Sequence, residues 1–292
     1  MTSIDESRRL RAVAEQASQL MREPLLAAFR SNMAVDYKVD LHDVVTKHDK
    51  ESEVAIRAYI LGEVPDSVVV GEEAGESGAG RVRWYVDPID GTSNFARGFA
   101  FWCVSVGVAI DGEVVAGAVY DPVADKLFSA DLTGAWLNGE PLRSRAIADE
   151  RHATLITGYP VARDFRRDGQ EQTLANFGEL VEIFSTLRRP GSGALSLCHV
   201  AAGWVDASAG FGSNPWDVAA AVLILKQAGG SYHPLTLGKV DADVPDFMCP
   251  GYVALGEGAD YPTLMRVARR ISDGRDAARA RDAAGRNACA VM

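Results

Sequence analysis

One stretch, residues 84–95 (Trp-Tyr-Val-Asp-Pro-Ile-Asp-Gly-Thr-Ser-Asn-Phe), constrains this chain more than any other. It opens on an apolar run with strand character, then places two carboxylates three residues apart, Asp87 and Asp90. Pro88 fixes its own φ and confines Asp87 to extended backbone. A turn over 88–90 then aims Asp87, the Ile89 carbonyl and Asp90 at one point. Converging oxygen ligands are what a hard cation such as Mg2+ asks for. Gly91-Thr92-Ser93 follows with the free N–H groups of a new helix, a seat for phosphate. Asp, Pro and Gly are also ordinary turn residues, so the motif alone leaves a plain turn open. Carboxylates from elsewhere in the chain must join it.

Before this stretch, an apolar face (Leu10, Val13, Ala14, Ala17, Leu20, Met21) predicts a long helix over 5–30, kinked or ended at Pro24. A second helix is expected over 50–61, with Asp49 as its N-cap. His42 and His48, in polar surroundings, read as surface residues. Val68-Val69-Val70 reads as a buried strand ending in Gly71-Glu72-Glu73, whose glutamates alone suggest a solvated turn. Residues 74–83, rich in Gly, Ser and Ala, read as a mobile flap. Asp111-Gly112 and Asn138-Gly139 are hairpin signals. Residues 1–145 therefore read as an α+β lobe of helices on an antiparallel sheet.

Past residue 145 the pattern changes. Strands over 153–158, 186–189 and 205–209 alternate with helices over 170–185, 193–202 and 215–228, which predicts a smaller α/β lobe over 146–271. Cys198 and His199 fall on an apolar helix and read as packing residues. Asp217, close to a helix N-terminus, either favours the helix dipole or reaches a site from a distant part of the chain. The segment 272–292 has little apolar periodicity and is expected to be frayed or disordered.

Composition narrows the partners. A net charge of −10 over 292 residues argues against a nucleic-acid partner held by phosphate contacts. A phosphorylated metabolite stays compatible, because clustered carboxylates attract Mg2+ first and the metal supplies positive charge. No run approaches the roughly 18 apolar residues of a membrane span, and the polar start shows no signal peptide. Four cysteines without a Cys-x-x-Cys spacing argue against zinc and redox chemistry. A cytoplasmic protein with reduced thiols is expected.

Gly71-Glu72-Glu73, the run from Asp87 to Phe95, Trp216-Asp217 and the upstream Asp49 together resemble the inositol monophosphatase family, over about residues 5–271. The resemblance implies a layered αβαβα sandwich, a homodimer, and Mg2+-dependent, Li+-sensitive hydrolysis of a small phosphate monoester. Carried over by residue, Glu72, Asp87 and the Ile89 carbonyl would hold one metal, and Asp87, Asp90 and Asp217 a second. A third, weaker ion would rest on Glu72 through waters. Thr92 and Asp49 would pair to orient the attacking water, with Glu72 beside them, and the Gly91 and Thr92 amides would seat the phosphate. Asp90, Ser93, Gly191, Ser192, Gly193 and Gly210 would complete the substrate site. Two departures stand out: Ser93 replaces a commoner threonine, and Gly210 stands where inositol-specific members carry a glutamate that binds substrate hydroxyls. A wider or differently polar pocket is expected from the second. Inositol 1-phosphate or a similar polyol phosphate is the leading expectation, histidinol phosphate the next, and a regulatory binding role the outsider.

Overall fold

The computed structural model describes residues 2–37, 44–241 and 243–289. The chain opens with α1 (Ile4–Gln19) and α2 (Arg22–Ala28), a short ladder of β1 (Asp36–Tyr37) and β2 (Val44–Val45), and the long helix α3 (Lys47–Glu63). The single helix expected over 5–30 is thus two, broken at Leu20 and Met21. Pro24 falls in the first turn of α2, where a missing N–H is tolerated. His42 lies outside the described residues. His48 is half-buried rather than on the surface, because its ring packs edge-on against Phe95.

Next come β3 (Ser67–Gly71), β4 (Gly75–Gly78), β5 (Val82–Asp90), α4 (Thr92–Arg97), β6 (Cys103–Ile110), β7 (Glu113–Asp121), β8 (Lys126–Asp131), β9 (Gly134–Leu137) and β10 (Glu140–Pro141). They make an eight-stranded sheet in the order β10-β9-β8-β7-β6-β5-β3-β4. It is antiparallel except for the pair β3–β5. The sheet is mixed because β4 folds back along the outer edge of β3 and returns the chain in the direction of β3. The expected flap is in part this edge strand, whose backbone pairs with residues 68–71. Asp111 and Asn138 take φ of 52° and 50°, each followed by a glycine at 84°. Two successive positive φ values define the I′ hairpin turn.

The second half runs β11 (Thr154–Thr157), α5 (Ala162–Asp168), α6 (Gln170–Ile183), β12 (Thr186–Arg188), α7 (Gly193–Ala201), β13 (Ala207–Phe211), α8 (Pro215–Gln227), β14 (Ser231–Leu235), β15 (Gly251–Leu255) and α9 (Pro262–Cys289). Its strands form a five-stranded sheet in the order β12-β11-β13-β15-β14. α1 and α3 cover one face of the larger sheet, α7 and α8 fill the space between the sheets, and α6 and α9 cover the smaller sheet. This is the layered α/β sandwich.

α8 is the middle of that stack, and its sequence says why. Residues 218–225 are all apolar and all buried, as a helix enclosed on both sides requires. It also lies low on the larger sheet. A Cβ on Gly107 would come 2.6 Å from the Ala219 methyl, so only small residues permit the approach. Cys198 is fully buried, and the His199 ring meets those of Phe101 and Trp204, both as packing residues.

The segment from Ser272, expected to fray, instead continues α9 as far as Cys289. The apolar period fades there, but polar pairs replace it. The Arg275 guanidinium is buried against Asp164 (2.8 Å) and Asp168, and the Thr236 hydroxyl donates to Asp276 at 2.6 Å. Charge-assisted bonds of this kind hold what burial alone would not. No helix among the described residues is long and apolar enough to cross a membrane.

Candidate active site

Strand register brings the first two carboxylates together. Gly71 lies beside Val86 in the parallel pair, and the Glu72 amide donates to the Val86 carbonyl at 3.2 Å. Glu72 therefore follows one strand end as Asp87 approaches the other. Pairing of β5 with β6 slips between Asp87 and Asp90. The expected turn at 88–90 is thus a bulge within the strand, a device that re-aims side chains at a sheet end. Asp87 Oδ1 accepts the Ile89 amide at 3.0 Å. Gly91 then opens α4 with φ at 97°, which glycine adopts without penalty, and a Cβ there would press on the Phe101 carbonyl at 3.1 Å.

Asp49 arrives from α3. The helix starts three residues earlier than expected, with Thr46 as N-cap and Asp49 closing the capping box. Asp49 Oδ2 accepts both the Thr46 amide and hydroxyl at 2.7 Å. That leaves Oδ1 for Thr92, whose hydroxyl lies 2.9 Å from it and 2.9 Å from the Ile89 carbonyl. Asp49 is therefore not the N-cap expected but the third residue of the helix, with Oδ2 closing the capping box and Oδ1 facing Thr92.

Asp217 arrives from α8, with Pro215 in the first turn and Asp217 Oδ2 accepting the Asn214 amide at 2.7 Å. The Ser105 hydroxyl, on the residue paired with Asp87, donates to the Trp216 carbonyl at 3.2 Å. That bond ties the start of α8 to β6 at the position beside Asp87.

The charges feel one another. Burial first, then the charges of Glu72, Asp90, Asp217 and Asp49, push the Asp87 carboxyl well above the usual range. Burial pushes Asp90 up to about 6, against bonds from Ser192, Ala194 and Gly193 that favour its ionised form. Burial and then the Asp90 charge raise Asp217. Burial also raises Asp49, against its bonds from Thr46 and Thr92. Like charges drawn out of water disfavour ionisation, and an all-oxygen set of this kind fits a hard divalent cation. Among the described residues, no three acidic, His or Cys side chains are already closed around one ion-sized point. Asp90 is turned instead toward the start of α7, accepting the Ser192 hydroxyl, the Ala194 amide at 2.7 Å and the Gly193 amide at 3.3 Å.

The sequence pattern of the inositol monophosphatase family matches residues 6–269. The chain belongs to this family. Among curated relatives, "Fructose-1,6-bisphosphatase/inositol-1-monophosphatase" of Aquifex aeolicus is 41% identical over 233 residues, 79% of this chain and 84% of the relative. "Nus factor SuhB" of Escherichia coli K12 is 36% identical over 219 residues, 74% of this chain and 78% of the relative. Among solved structures, the extragenic suppressor protein SuhB of Bartonella henselae superposes with a TM-score of 0.78 at 28% identity, covering 91% of this chain and 99% of the other.

In this family member a cleft of about 260 Å3 opens beside Asp217, walled by Gly191, Ser192, Gly193, Gly210, Tyr252 and Arg163, among others. Gly191 (φ 92°) packs on Asn94, whose amide nitrogen donates to the Pro190 and Phe101 carbonyls at 2.7 Å, joining the loop to α4. Ser93 is exposed in the first turn of α4. Gly210 does not widen the cleft as expected: a Cβ there would come within 2.5 Å of the Tyr252 ring, which takes the space. Tyr252 stacks on Tyr232, and its hydroxyl lies 3.4 Å from that of Ser208. Arg163 donates to the Gly212 carbonyl at 3.2 Å, and its charge partly offsets the rise at Asp217. Sequence reasoning missed Tyr252 and Arg163, since neither lies in a motif that marks it.

Proposed function

We propose that this family member hydrolyses small phosphate monoesters in a Mg2+-dependent reaction. The observation that carries the reading is the approach of half-buried Asp217, from α8, to the buried Asp87 and Asp90 at the end of β5, close enough that the charges of Asp90 and Asp217 both raise the Asp87 carboxyl. Glu72, Asp87, the Ile89 carbonyl, Asp90 and Asp217 would hold two or three Mg2+ ions. When bound, Mg2+ neutralises phosphate charge and makes hydroxide available near neutral pH.

The chain's own groups do the positioning, which is most of what a loose phosphoryl transition state needs. Asp49 Oδ2 is fixed by Thr46, and its Oδ1 and the Ile89 carbonyl are both within reach of the Thr92 hydroxyl as acceptors. With its proton committed to an acceptor, the Thr92 oxygen presents a lone pair to an attacking water. The Gly91 and Thr92 amides, at the start of α4, are oriented for phosphate oxygens. The alcohol left behind would lie in the cleft between Ser192 and Tyr252.

A polyol phosphate such as inositol 1-phosphate is the proposed substrate class, with histidinol phosphate the alternative. Arg163 on the cleft wall, and the Aquifex relative named as a fructose-1,6-bisphosphatase, add sugar bisphosphates to the comparison. Measuring kcat/KM for inositol 1-phosphate, histidinol phosphate and fructose 1,6-bisphosphate with Mg2+ ranks them. If histidinol phosphate exceeds inositol 1-phosphate by far, the first substrate is wrong. A homodimer in the cytoplasm, without nucleic acid or membrane, remains part of the proposal.

Relatives named Nus factor SuhB favour a second reading, a regulatory binding role. An inactive wild-type protein that binds a macromolecular partner supports that reading. Turnover that disappears in Asp90→Asn supports the phosphatase.

A further inference from the structure

Glu53 is a buried carboxylate near the site that the reaction leaves unused. It lies four residues after Asp49, so both project from the same face of α3, and both are 0% exposed. Glu53 Oε2 accepts the Glu73 amide at 2.6 Å, and Oε1 accepts the Ala74 amide at 3.0 Å. Oε1 also receives Arg57 at 2.6 Å, and Arg57 continues to the Gly75 carbonyl at 2.9 Å and the Ser77 hydroxyl. The carboxylate is thus wedged beneath the turn between β3 and β4. Gly71 makes room for it: a Cβ there would stand 2.2 Å from the Glu53 carboxyl carbon.

Glu72 sits between the two points this wedge controls. On one side is Gly71, which cannot gain a side chain without displacing Glu53. On the other is Glu73, whose amide Glu53 holds. A buried carboxylate is costly unless fully bonded, and here its bonds all go to the segment carrying Glu72 and to Arg57.

We infer that Glu53 is a positioning residue that holds Glu72 where a divalent cation can use it. One face of α3 thereby sets two parts of the site, Thr92 through Asp49 and Glu72 through Glu53. The inference rests on reading Glu72 as a metal ligand.

The test is Glu53→Gln, which replaces one amide acceptor by a donor while keeping the shape. In the metal-free protein, hydrogen exchange at the Glu73 and Ala74 amides should accelerate at least tenfold with the rest of the sheet unchanged. Mg2+ affinity by calorimetry should weaken about tenfold, as for other groups that orient a metal ligand. At saturating Mg2+, KM for the phosphate ester should stay within twofold. Unchanged Mg2+ affinity in a folded Glu53→Gln protein overturns the inference, even if its melting point falls. If that variant does not fold, Arg57→Ala loosens the same carboxylate, and it must weaken Mg2+ about threefold or the inference fails. Asp87→Asn separates the two ideas. If it still binds Mg2+ like wild type, the metal-site reading fails; if it loses Mg2+ while Glu53→Gln does not, only the role of Glu53 fails.

Discussion

Both the acidic end of β5 and the cleft wall around Gly210 gather segments far apart in the chain, but at the acidic end each side chain is set by a local device of its own, and in the wall none is. At the first, a bulge, a positive-φ glycine and two capping boxes set Asp87, Asp90, Thr92, Asp49 and Asp217. At the second, β13, β15, α5 and the loop before α7 each contribute a piece, with no local device that predicts their meeting. The difference teaches where chemistry and choice of substrate reside. Substitutions at the acidic end should reduce turnover of every substrate alike. Substitutions in the wall should change the ranking among substrates.

The largest effect is expected from Asp87→Asn. Removing its charge should lower kcat about a thousandfold or more for every phosphate monoester tested, since electrostatic stabilisation dominates such reactions. A loss confined to one substrate would break the division. Next is Thr92→Ala, which should lower kcat about a hundredfold, within the range of positioned proton-handling groups. Mg2+ affinity by calorimetry should stay within threefold, and a larger loss would move Thr92 among the ligands.

A smaller effect is expected in the wall. Arg163→Ala should lower kcat/KM for fructose 1,6-bisphosphate about tenfold relative to inositol 1-phosphate, the size of one charged hydrogen bond. Equal losses on both would place Arg163 with the stability of α5 rather than with selection.

The smallest concerns α7, which carries the Ser192 loop at one end and His199 at the other. Burial first, then the Lys126 charge, lowers His199 from 6.5 to about 4. The folded value is depressed, so the unfolded chain binds the extra proton between pH 6.5 and 4. Stability is therefore present above pH 6.5 and lost as pH falls through that window. Denaturant unfolding of wild type and His199→Gln at pH 7 and pH 5 measures it. Wild type should lose on the order of 1 kcal/mol more than the variant, and equal losses would show that His199 titrates normally.

How much was legible in the sequence follows the same division. Asp87, Pro88, Asp90 and Gly91 are contiguous, and Asn138-Gly139 is a turn signal, so the motif and the hairpins could be read directly. Asp217 was legible because Pro215 marks the start of its helix. β14 and β15 were not legible as strands, since Pro234 interrupts the first and the second is a short, wholly buried run without alternation. The 272–289 part of α9 was missed because polar pairs such as Arg275 with Asp164 replace the apolar period. Gly210 was read as making a wider or differently polar pocket, and only the tertiary fold brings the Tyr252 ring against it.

The account stands or falls on whether acidic groups from opposite halves of the chain serve one cation. The direct measurement is a Mg2+ titration of metal-stripped wild type and Asp217→Asn, following heat and phosphate release from inositol 1-phosphate together. The account predicts that phosphate release in wild type appears in step with Mg2+ binding and that both are lost in Asp217→Asn. An Asp217→Asn protein that binds Mg2+ and releases phosphate like wild type would contradict it.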